Sequence, residues 1–495
     1  MTCTQFLRPA LATLIALGFS GCMVGPDYVS PAPEVPTELK YENRTAATSL
    51  VGWWTAYRDP QLAALIQTAT VANPDLAAAL ARVDRAAASV GVARSELFPQ
   101  VDFFTEAVRQ RSSGNLTNPG TNASTRNNFD SALGLTWELD VWGRVRRLTA
   151  SALAEAQAEA DAFGYAMVLV QTLVAEQYFQ IRTLDERIGI LEQTVVGRKK
   201  SLDLVEVRRD SGLADDLEYY QARTEWSIAR SGLEGFRRRR ALAENALAIL
   251  LGEYPSAFTL PQQLDWHPLL PPSPIAVSST LLERRPDIAQ AESLVKAASE
   301  LIGARIAEYF PRIQITGDVG FAAADAGNWF TRSSLFGSLG PSVSVPVFTA
   351  GRVASRIDEA KADYAELLQL YRSQVFTAFQ EVEDSLAALQ FLQVQVTAQQ
   401  DAAYSARAAA DLAQQRYENG LVNYLEVVDT ERTALNNALA LVELENEQYV
   451  QQLALIRALG GGWQPPILPD QNDNNALLDS ALNTAPPKPS ANEMR

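Results

Sequence analysis

The sequence of this chain occurs twice within itself, and this duplication constrains the fold more than any other feature. Residues 73–101 align without gaps on residues 285–313 at an offset of 212, and residues 143–252 align on residues 351–460 at an offset of 208. The offset changes only between the two blocks, where the first copy has four extra residues. Length variation confined to one place marks a loop. We therefore predict two copies of one structural unit rather than two different domains.

Each copy carries the same series of short motifs. They are Pro-Asp, Phe-Pro, Gly-Arg-Val, Arg-x-x-x-Gly-Leu and Leu-Gly, which begin in the first copy at residues 74, 98, 143, 208 and 251. From these boundaries we predict a helix of about 37 residues capped by Asn73, then two strands, a very long helix and a returning helix of about 40 residues. The predicted class is therefore α+β, with a duplicated helix-strand-strand-long helix-helix unit.

A two-residue alternation predicts the strands. Leu133, Leu135 and Trp137 share one face of the second strand, whereas Gly134 and Thr136 share the other. The same pattern predicts four strands, at residues 99–110, 128–141, 311–322 and 335–348. Each has about ten residues or more, which is enough to cross a bilayer at a tilt. The alternation also fits a half-buried sheet of a soluble protein, and it is the N-terminal signal and the helix lengths that favour a membrane.

Four strands are too few to close a barrel, and lipid does not tolerate open strand edges. If these strands cross a membrane, several copies of the chain must combine to close the sheet. Two copies would supply eight strands and three copies would supply twelve. The strand pattern by itself does not choose between them.

The long helices have the apolar spacing of coiled coils. In the first copy, side chains at steps of three and four form a heptad seam that is interrupted once, by an arginine. Its members are Ile181, Leu184, Ile188, Leu191, Val195, Arg198, Leu202 and Val205. At 1.5 Å per residue, residues 146–210 would span about 98 Å, and the two shorter helices end to end about 115 Å. We therefore predict a tall bundle in which one long helix is matched by two stacked shorter ones.

The N-terminus has the pattern of a bacterial export signal. Arg8 precedes a short apolar run at residues 11–17, and small residues then lead to Cys22, which resembles the lipidation site of bacterial lipoproteins. We predict that residues 1–21 are removed and that Cys22 is lipidated. The alternative is ordinary secretion with an incidental cysteine at this position. No other segment has the roughly 20 consecutive apolar residues that a membrane-spanning helix needs.

The composition excludes several classes of function. The 495 residues include 42 Lys and Arg against 58 Asp and Glu, which gives a net charge of −16. A chain this acidic lacks the positive surface that nucleic-acid binding needs. One histidine and two cysteines cannot build a zinc site, a thiol redox pair or a Ser-His catalytic site. We therefore expect no enzyme activity, no metal site and no cofactor.

Motifs spread over nearly the whole chain resemble those of one protein family. They are Cys22-x-x-Gly25-Pro26-Asp27-Tyr28-x-x-Pro31, Trp53-Trp54-x-x-Tyr57-x-Asp59-Pro60-x-Leu62, Arg284-Arg285-Pro286-Asp287, Phe310-Pro311, Arg416-Tyr417-x-x-Gly420-x-x-x-Tyr424-Leu425-x-Val427-Val428-Asp429 and Ala458-Leu459-Gly460-Gly461-Gly462-Trp463. With these motifs the chain resembles the TolC-type outer-membrane efflux channels, in particular their OprM/NodT-like lipoprotein branch.

The resemblance implies an architecture and a set of partners. It implies a homotrimer with a twelve-stranded β-barrel in the outer membrane, continued by a twelve-helix α-barrel that extends into the periplasm. It also implies contact with outer-membrane lipid, a lipid anchor at Cys22, a periplasmic adaptor (membrane fusion) protein and an inner-membrane pump of the RND type.

Two helix turns are predicted at equivalent places in the two copies. Gly212 and Gly420 follow the long helices and fit left-handed turns, after which the chain reverses. The resemblance implies that these turns line a periplasmic opening that is shut at rest. By the same resemblance, Leu425, Glu426 and Asp429 form the periplasmic gate, with one apolar ring and acidic rings beside it.

The resemblance also implies links that hold this opening shut. Tyr417, Arg432 and Glu218 match positions that join neighbouring coils in the family. Opening would then be an iris-like loosening, in which the adaptor replaces these links with its own contacts and so favours the open state.

These predictions divide the chain into segments with different roles. They are a signal peptide at 1–21, a lipidated extended segment at 22–60, the first repeat at 61–252, a Pro-rich connector at 253–284, the second repeat at 285–460, and a C-terminal segment with a flexible tail at 461–495. The predicted function is the outer-membrane channel of a tripartite RND-type efflux pump, a passive exit duct for drugs or other small toxic compounds. Two alternatives stay open: a conduit for type I protein secretion, and a non-channel coiled-coil lipoprotein that braces the envelope.

Overall fold

The computed structural model describes most of the chain. The described residues are 23–31, 36, 39–41, 50–113, 115, 123–264, 266, 270–272 and 284–464. The predicted signal segment, Cys22, much of the Pro-rich connector and the tail from residue 465 onward lie outside the described residues.

Within the described residues, the elements follow in the order α1-α2-β1-β2-α3-α4-α5-β3-β4-α6-α7. The helices are α1 Pro60–Ala72, α2 Pro74–Ser95, α3 Arg144–Asp210, α4 Asp216–Leu250, α5 Pro286–Ala307, α6 Arg352–Glu418 and α7 Tyr424–Ala458. The strands are β1 Gln100–Arg111, β2 Thr125–Leu139, β3 Arg312–Ala323 and β4 Leu335–Ser344. A search of this part of the chain finds no helix that is both long and apolar enough to span a membrane.

Corresponding helices of the two halves have equal lengths. α2 and α5 have 22 residues each, α3 and α6 have 67, and α4 and α7 have 35. The first helix of each half is therefore much shorter than predicted. At 1.5 Å per residue, a long helix spans about 100 Å and the two shorter ones together about 86 Å, so the predicted match in length is also wrong.

Local hydrogen bonds set the two ends of α2. The Oδ1 atom of Asn73 accepts from the amides of Asp75 at 2.9 Å and Leu76 at 3.1 Å, which confirms the predicted cap. At the other end, the amide of Phe98 donates to the carbonyl three residues earlier at 3.1 Å, and Pro99 has no amide hydrogen with which to continue. The cap and this tightened final turn leave room for only six helical turns.

The chain divides into two compact units. The first contains Val83–Glu159 and Gln290–Arg372 together with the described N-terminal residues 23–31. The second contains the described parts of Pro33–Arg82, Ala160–Ala289 and Ser373–Arg495. All four described strands belong to the first unit, and both turns between long and returning helices belong to the second.

The strands of the first unit form one antiparallel sheet in the order β1-β2-β3-β4. The register places Leu135 opposite Val101 on one side and Gly317 on the other, and Gly317 opposite Leu339. The face that contains these positions is predominantly apolar and lies largely exposed. Its exposed large side chains are Val101, Phe103, Leu133, Val319, Leu335, Leu339 and Val343.

Two strands end earlier than predicted, for identifiable reasons. β2 ends at Leu139 because the next residue, Asp140, turns its carboxylate to the start of α3, where Oδ1 accepts from the amide of Val145 at 2.9 Å. β4 ends at Ser344, two residues before Pro346, which cannot donate to a strand partner. The side-chain alternation continues past both points, but the backbone pairing does not.

The core of the second unit is rich in aromatic residues. The ring of Phe179 lies 5.1 Å from that of Tyr57 and 5.7 Å from that of Trp266, measured between centroids. The carboxylate of Asp59, which caps α1, accepts from the hydroxyl of Tyr178 at 2.7 Å and from the indole of Trp266 at 3.1 Å. These contacts fasten α1 to α3 and to the chain that follows α4.

Candidate functional site at the two helix turns

The two turns that join the long and returning helices have the same backbone geometry. In the first turn, the amide of Gly212 donates to the carbonyl of Arg209 at 2.9 Å, and the amide of Leu213 donates to the carbonyl of Arg208 at 2.8 Å. This bonding pattern is a Schellman motif, which needs a left-handed residue. Gly212 has φ 71°, and Gly420 in the second turn has φ 72°. Glycine is favoured at both positions for its backbone, since neither is crowded by neighbouring atoms.

Each returning helix begins with a side-chain cap and a glutamate. Asp215 accepts from the amide of Glu218 at 2.9 Å, and Asn423 accepts from the amide of Glu426 at 3.2 Å. Glu218 and Glu426 therefore occupy the same place in the first turns of α4 and α7. A carboxylate there is stabilised by the positive end of the helix dipole.

Tyr417, near the end of α6, is the centre of a contact network between helices. Its hydroxyl donates to Oε2 of Glu218 on α4 at 3.2 Å, and its carbonyl accepts from Nη1 of Arg208 on α3 at 3.2 Å. The Arg208 guanidinium lies 4.8 Å from the Tyr417 ring, whose other neighbour is the ring of Tyr424 at 5.3 Å. Burial, and then the nearby Glu218 carboxylate, raise the pKa of Tyr417 to about 12. Tyr417 therefore remains a neutral hydrogen-bond donor at physiological pH.

An apolar cluster surrounds this network. Its fully buried members come from α3, α4, α6 and α7, so all four helices are packed together beside the turns. They are Leu202, Val205, Ala222, Tyr417, Tyr424, Val427 and Val428.

A charged cluster lies further along the same helices. Glu225 of α4 accepts from Nη1 of Arg198 on α3 at 3.0 Å and from Nε of Arg432 on α7 at 3.0 Å. Oε2 of Glu431 lies 4.0 Å from Nε of Arg198. The side chains of Arg198 and Glu225 are each only 3% exposed, whereas that of Arg432 is 55% exposed. One buried ion pair is therefore extended by a second arginine at the surface.

The environment shifts the pKa values of two members of this cluster. The hydrogen bond from Arg432 to Glu225 raises the pKa of the Arg432 guanidinium, and the nearby Asp429 carboxylate adds to the effect. Burial raises the pKa of Glu431, with a further rise from Glu225 that Arg198 partly opposes. Glu431 is thus the carboxylate of this cluster that binds a proton more readily than a glutamate in water.

The three residues predicted to form the gate lie exposed on the first two turns of α7. Leu425 and Asp429 are four residues apart and so share a helix face, with Leu425 58% exposed. Glu426 lies 3.6 Å from Arg416, the nearest basic group recorded for it. Among the described residues, the Asp429 carboxylate accepts no hydrogen bond.

The structure brings together some of the predicted linking residues and adds others. Tyr417 meets Glu218, whereas Arg432 meets Glu225, which the sequence reasoning missed. Arg198 was noticed only as an interruption of the α3 seam. Glu225 likewise stands at a seam position of α4, between buried Ala222 and the later buried Ala229 and Leu233. Opposite charges on the facing seams of two neighbouring helices were the signal available for this pair.

A family model matches both halves of the chain. The model for the outer membrane efflux protein family matches residues 65–253 and again residues 277–461. Together these matches cover well over half of the sequence. The chain therefore belongs to the outer membrane efflux protein family.

Individual members of the family match almost end to end. The probable efflux pump outer membrane protein TtgC of Pseudomonas putida is 32% identical over 469 residues, which cover 93% of this chain and 96% of TtgC. The cation efflux system protein CusC of Escherichia coli is 32% identical over 458 residues, or 91% of this chain and 98% of CusC. The solved structure of the outer-membrane channel OprN superposes with a TM-score of 0.82 at 29% identity, and covers 90% of this chain and 100% of that one. The chain is thus an outer-membrane efflux protein with the fold of the TolC-like channels.

Proposed function

We propose that three copies of this chain form a passive exit channel of a tripartite efflux pump, with the two helix turns as its periplasmic gate. The observation that carries this proposal is the four-stranded sheet of the first unit. Its outer strands β1 and β4 each pair on one side only within the described residues, and one face of the sheet is apolar and exposed. In lipid, a sheet with open edges is unstable until further strands close it. Three copies would supply the twelve strands of a closed barrel.

Exposed apolar stripes on the helices support assembly from several copies. Five side chains of α4 that fall on one helix face are between 53% and 63% exposed. They are Leu217, Tyr220, Ile228, Leu242 and Ile249. A second stripe on α6 is between 57% and 71% exposed. Its members are Phe376, Phe391, Val394 and Leu412. Stripes this long mark helix contacts with a partner, and we assign them to neighbouring copies in a ring of twelve helices.

The two matches to the family model support a chain built from two repeats, at residues 61–252 and 285–460. The equal helix lengths of the halves support the same division. In the proposed trimer, each copy contributes two hairpins of long helices to the periplasmic tunnel.

The gate would be formed where the helix turns of the three copies converge. Three copies each of Glu426 and Asp429 would surround a small opening with up to six carboxylates. Such a ring repels itself unless it is hydrated, protonated or occupied by cations. Closure would therefore come from a ring of Leu425 side chains, which excludes water and solutes. The contacts of Tyr417 with Glu218, and of Arg432 with its carboxylate partner, would hold the helices in the closed arrangement.

The partners proposed for this channel are a periplasmic adaptor and an inner-membrane pump of the RND type. The similar proteins carry different cargo in their names, since CusC is named for cation efflux and TtgC for an efflux pump in general. At equal sequence identity this difference argues that the pump and adaptor select the cargo. We therefore propose a duct for drugs or other small toxic compounds that does not itself discriminate strongly.

Lipid attachment at Cys22 is part of the proposal, although Cys22 lies outside the described residues. The sequence before it has the export signal and the small residues that precede a lipidated cysteine. Acyl chains there would anchor the mature N-terminus in the inner leaflet of the outer membrane, and several chains give stable attachment where one does not. Mass spectrometry of the mature N-terminus tests this point, and an unmodified cysteine would defeat it.

The whole proposal is tested by native mass spectrometry of the purified protein together with single-channel recording in planar bilayers. We expect a mass of three chains and discrete conductance steps from that species. A monomer with full channel activity would contradict the architecture. A trimer without conductance would instead favour the non-channel structural lipoprotein.

A further inference from the structure

The chain that directly follows Cys22 is seated against α3 and α5 within the first unit. The amide of Val24 donates to the carbonyl of Trp142 at 3.2 Å. Gly25 has φ 97° and packs directly on Gly303 of α5, where a Cβ added to Gly25 would lie 2.6 Å from the Gly303 Cα atom. No side chain fits in that space, and the backbone angle also favours glycine. The close approach of the two glycines fixes the path of this segment.

A buried arginine holds the same segment from below. Arg147 of α3 is 2% exposed, and its Nη2 atom donates to the carbonyl of Gly25 at 3.4 Å and to Oδ1 of Asp27 at 3.1 Å. Its Nη1 atom donates to Oε2 of Glu300 on α5 at 2.7 Å. A guanidinium this deeply buried is stable only while its acceptors are in place. The segment therefore supplies part of the compensation for a charge inside the unit.

A second carboxylate fastens the segment further along. Oε1 of Glu292 on α5 accepts from the hydroxyl of Ser30 at 2.6 Å and from the hydroxyl of Tyr28 at 3.2 Å. Between them, Glu292 and Arg147 bind the segment at both ends. Two charged side chains and a glycine pair make a docking groove, which the proposed channel function leaves unexplained.

The groove also fixes where the segment begins. A Cβ added to Gly143 would lie 2.8 Å from Cγ of Met23 and 3.1 Å from its Cα atom, so Met23 rests directly on Gly143. Gly143 stands between the end of β2 at Leu139 and the start of α3 at Arg144. The docked segment thus starts where the sheet gives way to the helices.

We propose that residues 23–30 couple the acyl chains of Cys22 mechanically to the end of β2, so that the lipid anchor and the sheet enter the membrane as one body. This proposal rests on the proposed lipidation of Cys22. Consecutive Cα atoms are about 3.8 Å apart, so acyl chains on Cys22 are attached immediately beside Met23. If residues 23–59 were instead a flexible tether, its ends would be separated by about 35 Å on average. Docking replaces that diffuse anchor by one held at the strand ends, which raises the effective concentration of the sheet at the lipid surface.

The test is a double-mutant cycle between lipid attachment and docking. The measured quantity is the rate at which heat-resistant oligomer forms in vesicles of phosphatidylethanolamine and phosphatidylglycerol. Each form of the protein is compared with its unlipidated counterpart, which carries Cys22→Ser behind an ordinary secretory signal. In the wild type we expect lipidation to accelerate assembly on the order of tenfold, the low end of tethering effects.

Two variants remove the coupling in different ways. Gly25→Ala prevents docking through steric conflict with Gly303. A six-residue Gly-Ser insertion between Cys22 and Met23 keeps the groove occupied but loosens the lipid. In both, we expect the acceleration by lipid to disappear, while Val29→Ala, at an exposed position, keeps the wild-type ratio.

The outcomes separate this proposal from the one beneath it. Hydrogen exchange should show lost protection of residues 23–30 in Gly25→Ala and retained protection in the insertion variant. A lipidated N-terminus with an unchanged acceleration in both variants overturns the coupling and leaves the channel proposal intact. An unmodified N-terminus overturns the lipidation proposal and the coupling with it.

Discussion

Arg432 of α7 donates to Oε1 of Glu225 on α4 at 3.0 Å, while the other oxygen of the same carboxylate accepts from Arg198 of α3. One glutamate thus joins three helices near the turns. Its two arginines differ sharply in exposure, since Arg198 is buried and Arg432 is half exposed. This difference predicts unequal consequences for the two sides of the cluster.

Glu225→Gln should loosen the helix turns more than Arg432→Gln does. The first change leaves the buried Arg198 without its charged partner, which costs about 3–5 kcal/mol. The second removes a largely solvated partner, worth about 0–1 kcal/mol. Hydrogen exchange of the first turns of α4 and α7 measures both effects. Equal protection in the two variants would mean that the Arg198 pair does not hold the helices together.

Leu425→Ala combined with Tyr417→Phe should raise the resting conductance of the channel. The first change removes the proposed apolar ring. The second removes the hydrogen bond to Glu218, worth about 0.5–1.5 kcal/mol, and keeps the aromatic packing on Tyr424. Bilayer recording of the double variant beside the wild type checks this, and cells that carry it should become sensitive to large antibiotics.

Leu421→Ala is the matched control for that experiment. Leu421 is as exposed as Leu425 but lies in the turn itself, before the Asn423 cap of α7. We expect its resting conductance to stay at the wild-type level. If the control leaks and the double variant does not, the apolar gate lies in the turn rather than on α7.

Asp429→Ala should reduce the preference of the channel for cations and weaken its block by multivalent cations. Among the described residues its carboxylate accepts no hydrogen bond, so it is available to ions in the opening. Asp210→Ala provides a comparison, because Asp210 is also an exposed carboxylate near a turn but pairs with Arg209 at 3.1 Å. Reversal potentials in a salt gradient measure the selectivity of each variant. Cation block that is unaltered in Asp429→Ala would place the acidic constriction elsewhere.

Much of the fold could be predicted from the sequence because it depends on local signals. The heptad seam of α3 became a buried seam, and Asn73 became a helix cap, since spacing and side-chain chemistry specify both directly. The ends of β2 and β4 were misplaced because alternation reports which face a side chain occupies, not whether its backbone is paired. Asp140 continues the alternation of β2 yet belongs to the start of α3.

The charged contacts at the helix turns could be predicted only in part. Tyr417, Glu218 and Arg432 were singled out through resemblance, but the sequence did not identify Glu225 as the partner of Arg432. That pairing joins positions 207 residues apart and depends on the rotation of α4 about its own axis. A seam interrupted by Arg198 signals that an acceptor must exist nearby, because a buried guanidinium needs one, without showing which helix supplies it.

Leu135→Arg should destabilise the inserted sheet far more than Thr136→Arg does. Leu135 lies on the apolar face, between Val101 and Gly317 in the sheet register, and Thr136 points to the opposite face. An arginine on the lipid side at the membrane midplane costs about 2–4 kcal/mol, whereas the side that faces the channel interior stays in water. Urea titration of the protein folded in vesicles measures both. Equal tolerance of the two changes would argue against strands that face lipid on this side.

The last prediction concerns acid and rests on Glu431. This carboxylate of α7 faces Arg198 of α3, Glu225 of α4 and Arg407 of α6, and burial raises its pKa above the ordinary value of 4.5. The packed arrangement therefore binds a proton more tightly than an arrangement in which α7 moves away and Glu431 enters water. Its stabilising effect is fully present below about pH 4.5 and is lost as the pH rises through the raised pKa. Acid should thus favour the closed state.

Recording the resting conductance between pH 4.5 and pH 8 tests this linkage. We expect conductance to rise with pH in the wild type and to depend much less on pH in Glu431→Gln, which mimics the protonated form. The exposed carboxylates of the gate also lose charge in acid, so Asp429→Asn is recorded over the same range to separate their contribution. A wild-type profile that persists in Glu431→Gln and vanishes in Asp429→Asn would assign the acid response to the gate ring rather than to the buried cluster.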